Sequence, residues 1–265
     1  MPLKFAAIAP HTPLLIPSIG KSNLARLGKT LNSYKKIGEF LSEKKIETTI
    51  FFSPHSKKED DLFSLDVLPE LNINFEDFGD FSTKTQISND LEITENIRLG
   101  LLENNKTKAV NFDVLDFGAG VPAWLLLKEK KEIQAAVINS CNLSLKDHFE
   151  TGIMIGKILE KSNKRIAIIA SSDLSHCLDK RSPAGFSPKG QKFDLRLLDL
   201  MHEKRIEDIL NIDEKVIEEA KPCGLKTIVM LLGVLGANDT AWEMITSTYE
   251  APFGIGYLTA SLEIK

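Results

Sequence analysis

Two kinds of apolar pattern alternate along this chain. Continuous runs of Ile, Val, Ala and Phe recur at 3–9, 47–53, 133–138 and 166–170. Unbroken runs of this kind predict strands buried on both faces. Between them the apolar residues recur with helical spacing. Leu24, Leu27, Leu31, Tyr34, Ile37 and Leu41 fall on one face of a helix that Ser22 can cap and that runs to about Ser42. Leu91, Ile97 and Leu101 follow a cap at Ser88 or Asn89, and Phe149, Ile153, Ile155, Ile158 and Leu159 follow a cap at Ser144. Strand, helix, strand in this order makes right-handed βαβ units with parallel strands.

The remaining segments fill in this frame. Alternation at Leu71-Asn72-Ile73-Asn74-Phe75 predicts a half-buried or edge strand. A short strand is expected over 112–117, running into a turn at Gly118-Ala119-Gly120-Val121 with Pro122 as first residue of the next helix. The two glycines are not a dinucleotide fingerprint, because the third is missing. The charge run 57–61 reads as a solvated loop. The Pro/Gly/Ser-rich stretch 182–190 is long enough for a lid, and Ser187-Pro188 opens a helix to about Glu203. Short helices are expected over 206–219. Cys223-Gly224 opens an apolar helix over 225–235, and strands over 242–249 and 253–262 close the chain. There is no repeat, low-complexity tract or linker. The prediction is a single α/β domain over 1–265, with a largely parallel central sheet flanked by helices on both faces.

Composition narrows the function classes. The chain has 265 residues, 43% hydrophobic and 26% charged, with a net charge of -4 and the two signs mixed, which argues against nucleic-acid or anionic-membrane surfaces. Cys141, Cys177 and Cys223 are odd in number and lack CxxC spacing, so neither a disulfide framework nor a zinc knot is expected. Pro10 and His11 interrupt the first apolar run at once, and the apolar stretch 227–237 is too short to span a bilayer. A cytoplasmic protein is expected.

Three of the five histidines follow a predicted strand: His11 through Pro10, His55 through Pro54, and His176 at the end of Ser171-Ser172-Asp173-Leu174-Ser175-His176. Ligands of α/β sheets sit beyond the carboxyl ends of the strands. Two imidazoles from separate strand ends can share a metal ion, a third ligand completes a face, and a histidine kept off the metal can act as general acid/base. Each histidine could instead be a hydrogen-bonded strand-end residue, but the context repeats three times. A serine-nucleophile triad is disfavoured, since no G-x-S-x-G elbow is present.

The motifs Ala9-Pro10-His11-Thr12-Pro13, Ser53-Pro54-His55, Leu115-Asp116-Phe117-Gly118, Ala170-Ser171-Ser172-Asp173-Leu174-Ser175-His176, Pro222-Cys223-Gly224 and Tyr249-Glu250-Ala251-Pro252-Phe253-Gly254-Ile255-Gly256-Tyr257 run nearly the length of the chain. In their order and spacing the chain resembles the class III extradiol ring-cleavage dioxygenases, of the catalytic-subunit type of protocatechuate 4,5-dioxygenase. It is most similar to the small microbial branch to which Memo-like proteins are also related. The resemblance implies iron(II) held by His11 and His55, with His176 as acid/base and Asp173 orienting it. It implies an aromatic, catechol-like substrate, dioxygen as co-substrate, and commonly a homo-oligomer. Ring-cleaving members have a glutamate as third ligand; Memo-like proteins place a cysteine there, which makes Cys223 the first choice, with Glu219 and Glu250 as carboxylate alternatives. A thiolate suits zinc or copper at least as well as iron. The family's Asp-His-Gly turn is Asp116-Phe117-Gly118 here, and phenylalanine cannot donate a hydrogen bond to a catechol oxygen or to dioxygen.

Overall fold

The apolar runs at the strands do bury both faces. A computed structural model of the chain describes residues 2–55, 61–102, 106–237 and 240–265; most of the 57–61 charge run lies outside them. Strand β1 (Leu3–Ala9) leads through a short helix α1 (Pro17–Gly20) and a 3₁₀ segment (Lys21–Leu27) to helix α2 (Gly28–Glu43) and strand β2 (Thr48–Ser53). Then come β3 (Phe63–Asp66), a hairpin of β4 (Glu70–Phe75) and β5 (Asp80–Ser88), α3 (Leu91–Leu102), β6 (Thr107–Val110), α4 (Phe117–Leu127) and β7 (Gln134–Asn139). The chain continues with α5 (Leu145–Leu159), β8 (Ile166–Ser171), α6 (Pro188–His202), α7 (Ile206–Leu210), α8 (Glu214–Ala220) and α9 (Leu225–Gly236), and closes with β9 (Trp242–Glu250) and β10 (Tyr257–Ile264).

Eight strands form one sheet in the order β6-β3-β7-β2-β8-β1-β10-β9, while β4 and β5 pair separately. The four central strands, β7, β2, β8 and β1, are parallel. Antiparallel strands flank them, β3 on β7 and β10 on β1. The period of two along each strand divides the core between the two faces. Phe5, Ala7, Ala9, Phe51, Val137 and Ile169 pack under α2 and α4, whereas Ala6, Ile8, Ile50, Phe52, Ile138 and Ile168 pack under α3, α5, α6 and α9. The single α/β domain with helices on both faces is the architecture expected from the sequence.

The strand order has one consequence for function. Strands β1 and β2 are parallel but not neighbours, because β8 is inserted between them and pairs with both. Ala9 lies opposite Ser171, and Phe52 opposite Ala170, so β1, β8 and β2 end at nearly one level. His11, Asp173 and His55 each lie two residues beyond the last residue of their strand. The sheet therefore delivers all three to one rim.

Several local expectations are corrected. Ser22 caps no helix, since 21–27 is 3₁₀ and α2 begins at Gly28. The cap of α3 is Asp90, whose Oδ1 accepts the Ile93 N–H at 3.1 Å. No strand forms over 112–117; the strand in that region is β6, of which only Thr107 is buried. Helix α4 starts at Phe117, capped by Asp116, so Pro122 sits inside it rather than at its start. The capping box at Ser144 and the Ser187-Pro188 start of α6 form as expected.

Helices α5 and α9 cross closely through glycines. A Cβ on Gly152 would lie 2.1 Å from the Met230 carbonyl oxygen, and one on Gly233 the same distance from the Phe149 carbonyl oxygen. These are backbone atoms and cannot swing away. Gly152→Ala gains about 1 kcal/mol of helix propensity, yet overpacking costs about 1–3 kcal/mol. The variant is expected to lower the midpoint of urea unfolding, and an unchanged or raised midpoint would show that the crossing tolerates the methyl group.

Candidate metal centre

Among the described residues, one group of three ligating side chains converges: His11, His55 and Cys223, each offering one atom, all within 4.8 Å of one another. His11 Nε2 lies 3.0 Å from His55 Nε2 and 3.3 Å from Cys223 Sγ. His11 is almost wholly buried, and its backbone N–H donates to Asp173 Oδ1 at 2.9 Å.

A proline and a serine fix the His11 ring. Within an α-helix, residue 122 would donate its N–H to the carbonyl of residue 118, but Pro122 has none to give. The Ser171 hydroxyl donates to this carbonyl instead. With its hydrogen committed there, Ser171 Oγ accepts from His11 Nδ1, 2.9 Å away. His11 thus carries its proton on Nδ1 and turns the Nε2 lone pair toward His55 and Cys223. Burial first, and charge on His176 second, pull the His11 pKa down to about 3, so the ring is a neutral donor.

Two glycines let the other ligands approach. A Cβ on Gly118 would lie 2.5 Å from Ser53 Oγ and 3.1 Å from His55 Cδ2. Glycine at this position lets the start of α4 seat against His55. Ser53 Oγ also donates to the capping carboxylate of Asp116 at 2.7 Å. A Cβ on Gly224 would lie 1.9 Å from Ser172 Oγ. The N-terminus of α9 can therefore meet the end of β8, which brings Cys223 to the rim. There the thiol lies 3.5 Å from the Asp173 carbonyl oxygen, and the Gly224 N–H donates to the same oxygen at 3.0 Å.

His176 stands apart from the ligand group. Its Nδ1–H faces two carbonyl oxygens, Leu174 and Lys221, each at 3.0 Å, which leaves Nε2 as the acceptor of the neutral ring. Lys221 presents its carbonyl from a left-handed conformation, φ 51° and ψ 51°. Asp173 is buried, which raises its carboxyl pKa; the His11 N–H and charge on His176 oppose the rise. Asp173 Oδ2 lies 3.8 Å from His11 Nε2.

The carboxylate alternatives are engaged elsewhere. Glu219 pairs with Lys189 at 2.8 Å and accepts from Ser187, while Glu250 accepts from the Thr30 N–H and hydroxyl at 2.8 and 2.6 Å. Phe117 stacks on His55, centroids 4.4 Å apart at 26°, and presents its edge to His11. Phe78 packs edge-on behind it at 5.4 Å. A cavity of about 340 Å³ opens beside His55 on the Asp77 and Asp116 side, and one of about 240 Å³ beside Cys223 on the Lys226 side. A groove of about 620 Å³ between α2 and α4 contains none of the five candidate residues. Reading the sequence missed Ser171, Gly118 and Pro122 as parts of the site. A proline five residues into a capped helix was the available signal.

Residues 5–259 match the model of a family described as the catalytic LigB subunit of aromatic ring-opening dioxygenase. The chain belongs to the LigB family. A curated relative, protein CA_C1420 of Clostridium acetobutylicum, is 29% identical over 97% of the chain, which spans 56% of that protein's length. The crystal structure of uncharacterized protein JW3007 from Escherichia coli K12 superposes with a TM-score of 0.68 at 12% identity, covering 97% of this chain and 99% of that one, a likeness of fold. The LigB assignment and the converging His-His-Cys group together make this rim the candidate metal centre.

The hydrogen-bond chain makes a prediction. In the metal-free protein, histidine NMR should show His11 as the Nδ1–H tautomer, with no titration near the ordinary value of 6.5. Its folded pKa lies below the unfolded one, so its contribution to stability is full above 6.5 and is lost as pH falls toward 3. A titration midpoint near 6.5, or the Nε2–H tautomer, would contradict the Ser171 relay.

Proposed function

We propose that this protein is an extradiol-type dioxygenase that binds iron(II) through His11, His55 and Cys223 and acts on a catechol-like aromatic substrate with dioxygen, in the cytoplasm, with no nucleic-acid partner. The observation that carries the reading is the convergence of those three ligand atoms at the carboxyl rim of a LigB-family sheet. The donor set fits a metal: two imidazole nitrogens, one of them with its lone pair fixed toward the partners, and a thiol. A metal held there supplies Lewis-acid and redox chemistry toward a chelated catechol and dioxygen.

The chain's own residues do the rest. His176, anchored at Nδ1 by two carbonyls, takes a catechol hydroxyl proton at Nε2 and returns it later in the reaction. Asp173 holds the His11 backbone, accepting its N–H at Oδ1. Phe117 shields the face of His55 and contributes an apolar wall for an aromatic ring. No helix among the described residues is long and apolar enough to cross a membrane.

One observation favours a second reading. The third converging group is the Cys223 thiol, while Glu219 and Glu250 are engaged away from the site. A thiolate favours zinc or copper(I), and Phe117 offers no hydrogen bond to a catechol oxygen. These features support a Memo-like metal-binding protein with a different redox role, or a scaffold.

Anaerobic loading with iron(II), followed by oxygen-uptake assays on a catechol panel, separates the readings. The dioxygenase reading expects ring cleavage that His176→Ala reduces by about 10²–10⁴-fold while metal content is kept. It also expects faster cleavage in Phe117→His. Tight zinc or copper with no oxygen uptake from any catechol would move the assignment to the second reading.

A further inference from the structure

The turn that carries His176 is held by a carboxylate from outside it. Asp194 lies on α6 and is fully buried. Its Oδ1 accepts the Ser175 N–H at 2.9 Å, and its Oδ2 accepts the Tyr249 hydroxyl at 2.6 Å. Gly256 makes room for it: a Cβ there would lie 2.0 Å from Asp194 Oδ2 and 3.1 Å from the Tyr249 hydroxyl. Gly256 also brackets the turn through its backbone. It accepts the Leu174 N–H at 2.8 Å and donates to the Ser175 carbonyl at 2.9 Å.

Ser175 is therefore fixed from several directions. The carboxylate takes its N–H, Gly256 takes its carbonyl, and its hydroxyl donates to the Ala220 carbonyl at 2.8 Å. His176 follows directly. Its own N–H reaches the same Ala220 carbonyl at 3.1 Å, and its ring is steered by the next carbonyl, that of Lys221. A shift of Ser175 would thus pull His176 off both carbonyls at once. None of these contacts reaches His11, His55 or Cys223, so the arrangement acts on the acid/base histidine separately from the ligand group.

We propose that Asp194, held by Tyr249 and Gly256, is a positioning residue that sets the tautomer and orientation of His176. The inference rests on His176 being the acid/base group of the proposed function, but it can be read without turnover. A buried carboxylate with two donors and a close-fitting glycine is more than a core requires, since an apolar side chain would fill the same space without needing partners. Its specific output is the fixed Ser175 N–H, one residue before the histidine.

The test compares Asp194→Ala, Asp194→Asn and Tyr249→Phe in zinc-loaded protein, whose diamagnetic metal leaves histidine signals visible. Long-range nitrogen-proton NMR reads the His176 tautomer, and steady-state kinetics on iron-loaded protein read kcat and KM separately. Wild type is expected to hold the Nδ1–H tautomer. Asp194→Ala should give a mixture of tautomers with metal content unchanged, and should lower kcat by about tenfold to a hundredfold with little change in KM. Asp194→Asn keeps an acceptor for Ser175, and the Tyr249 hydroxyl can turn to accept from the amide, so this variant should retain the wild-type tautomer. If Asp194→Ala does not fold, Tyr249→Phe, which removes one donor and little volume, should give the same tautomer change to a smaller degree. A folded Asp194→Ala with the wild-type tautomer and kcat would overturn the proposal, as would an unchanged tautomer in Tyr249→Phe where Asp194→Ala is unfolded. If the tautomer changes but no catechol is ever cleaved, the positioning role stands and the dioxygenase reading falls.

Discussion

Pro122 withholds one hydrogen-bond donor from α4, and the candidate centre is built on the carbonyl this leaves open. A buried carbonyl without a partner costs roughly 1–3 kcal/mol. The Ser171 hydroxyl satisfies it, and in doing so becomes an acceptor for His11. Three elements that lie far apart in sequence, α4, β8 and the exit from β1, are tied by two hydrogen bonds. The product of that tie is a nitrogen lone pair of defined direction. The same start of α4 places Asp116 as a cap bonded to Ser53, two residues before His55, and Phe117 on the His55 ring.

The sheet supplies the rest of the geometry. Because β8 separates β1 from β2, the two candidate histidine ligands approach from either side of Asp173 rather than from adjacent strands. Asp173 Oδ1 accepts the His11 backbone N–H, and the carboxylate also interacts electrostatically with His176. The His176 ring is held at Nδ1 by the main-chain carbonyls of 174 and 221. The rim divides into a candidate ligand group tied to α4 and α9, and His176, the proposed acid/base, tied to α6, α8 and the β9–β10 connection.

Much of this was legible in the sequence, and for a physical reason. Strands covered on both faces must be apolar throughout, so β1, β2, β7 and β8 stand out as unbroken runs, and the histidines that follow them stand out in turn. Cys223 entered as a ligand candidate only through the resemblance to Memo-like proteins; its own residues show a cysteine before a glycine at a helix start. What the sequence hides is adjacency. Nothing in the runs says that β8 lies between β1 and β2. The start of α4 was misread because Gly118, Gly120 and Pro122 have the local signature of a turn; the Asp116 cap and the Ser171 hydroxyl, 49 residues after Pro122, stabilise a helix there. Strand β6 was missed because its pattern is barely apolar and it forms by pairing with β3.

The central claim is that His11, His55 and Cys223 are one metal site. Anomalous diffraction from crystals grown with the protein's own metal, recorded across that metal's absorption edge, tests it most directly. The account predicts one peak per chain, at about 2.0–2.3 Å from His11 Nε2, His55 Nε2 and Cys223 Sγ, with His176 outside the coordination sphere. A peak that excludes Cys223, or one ligated by His176, Glu219 or Glu250, would contradict it.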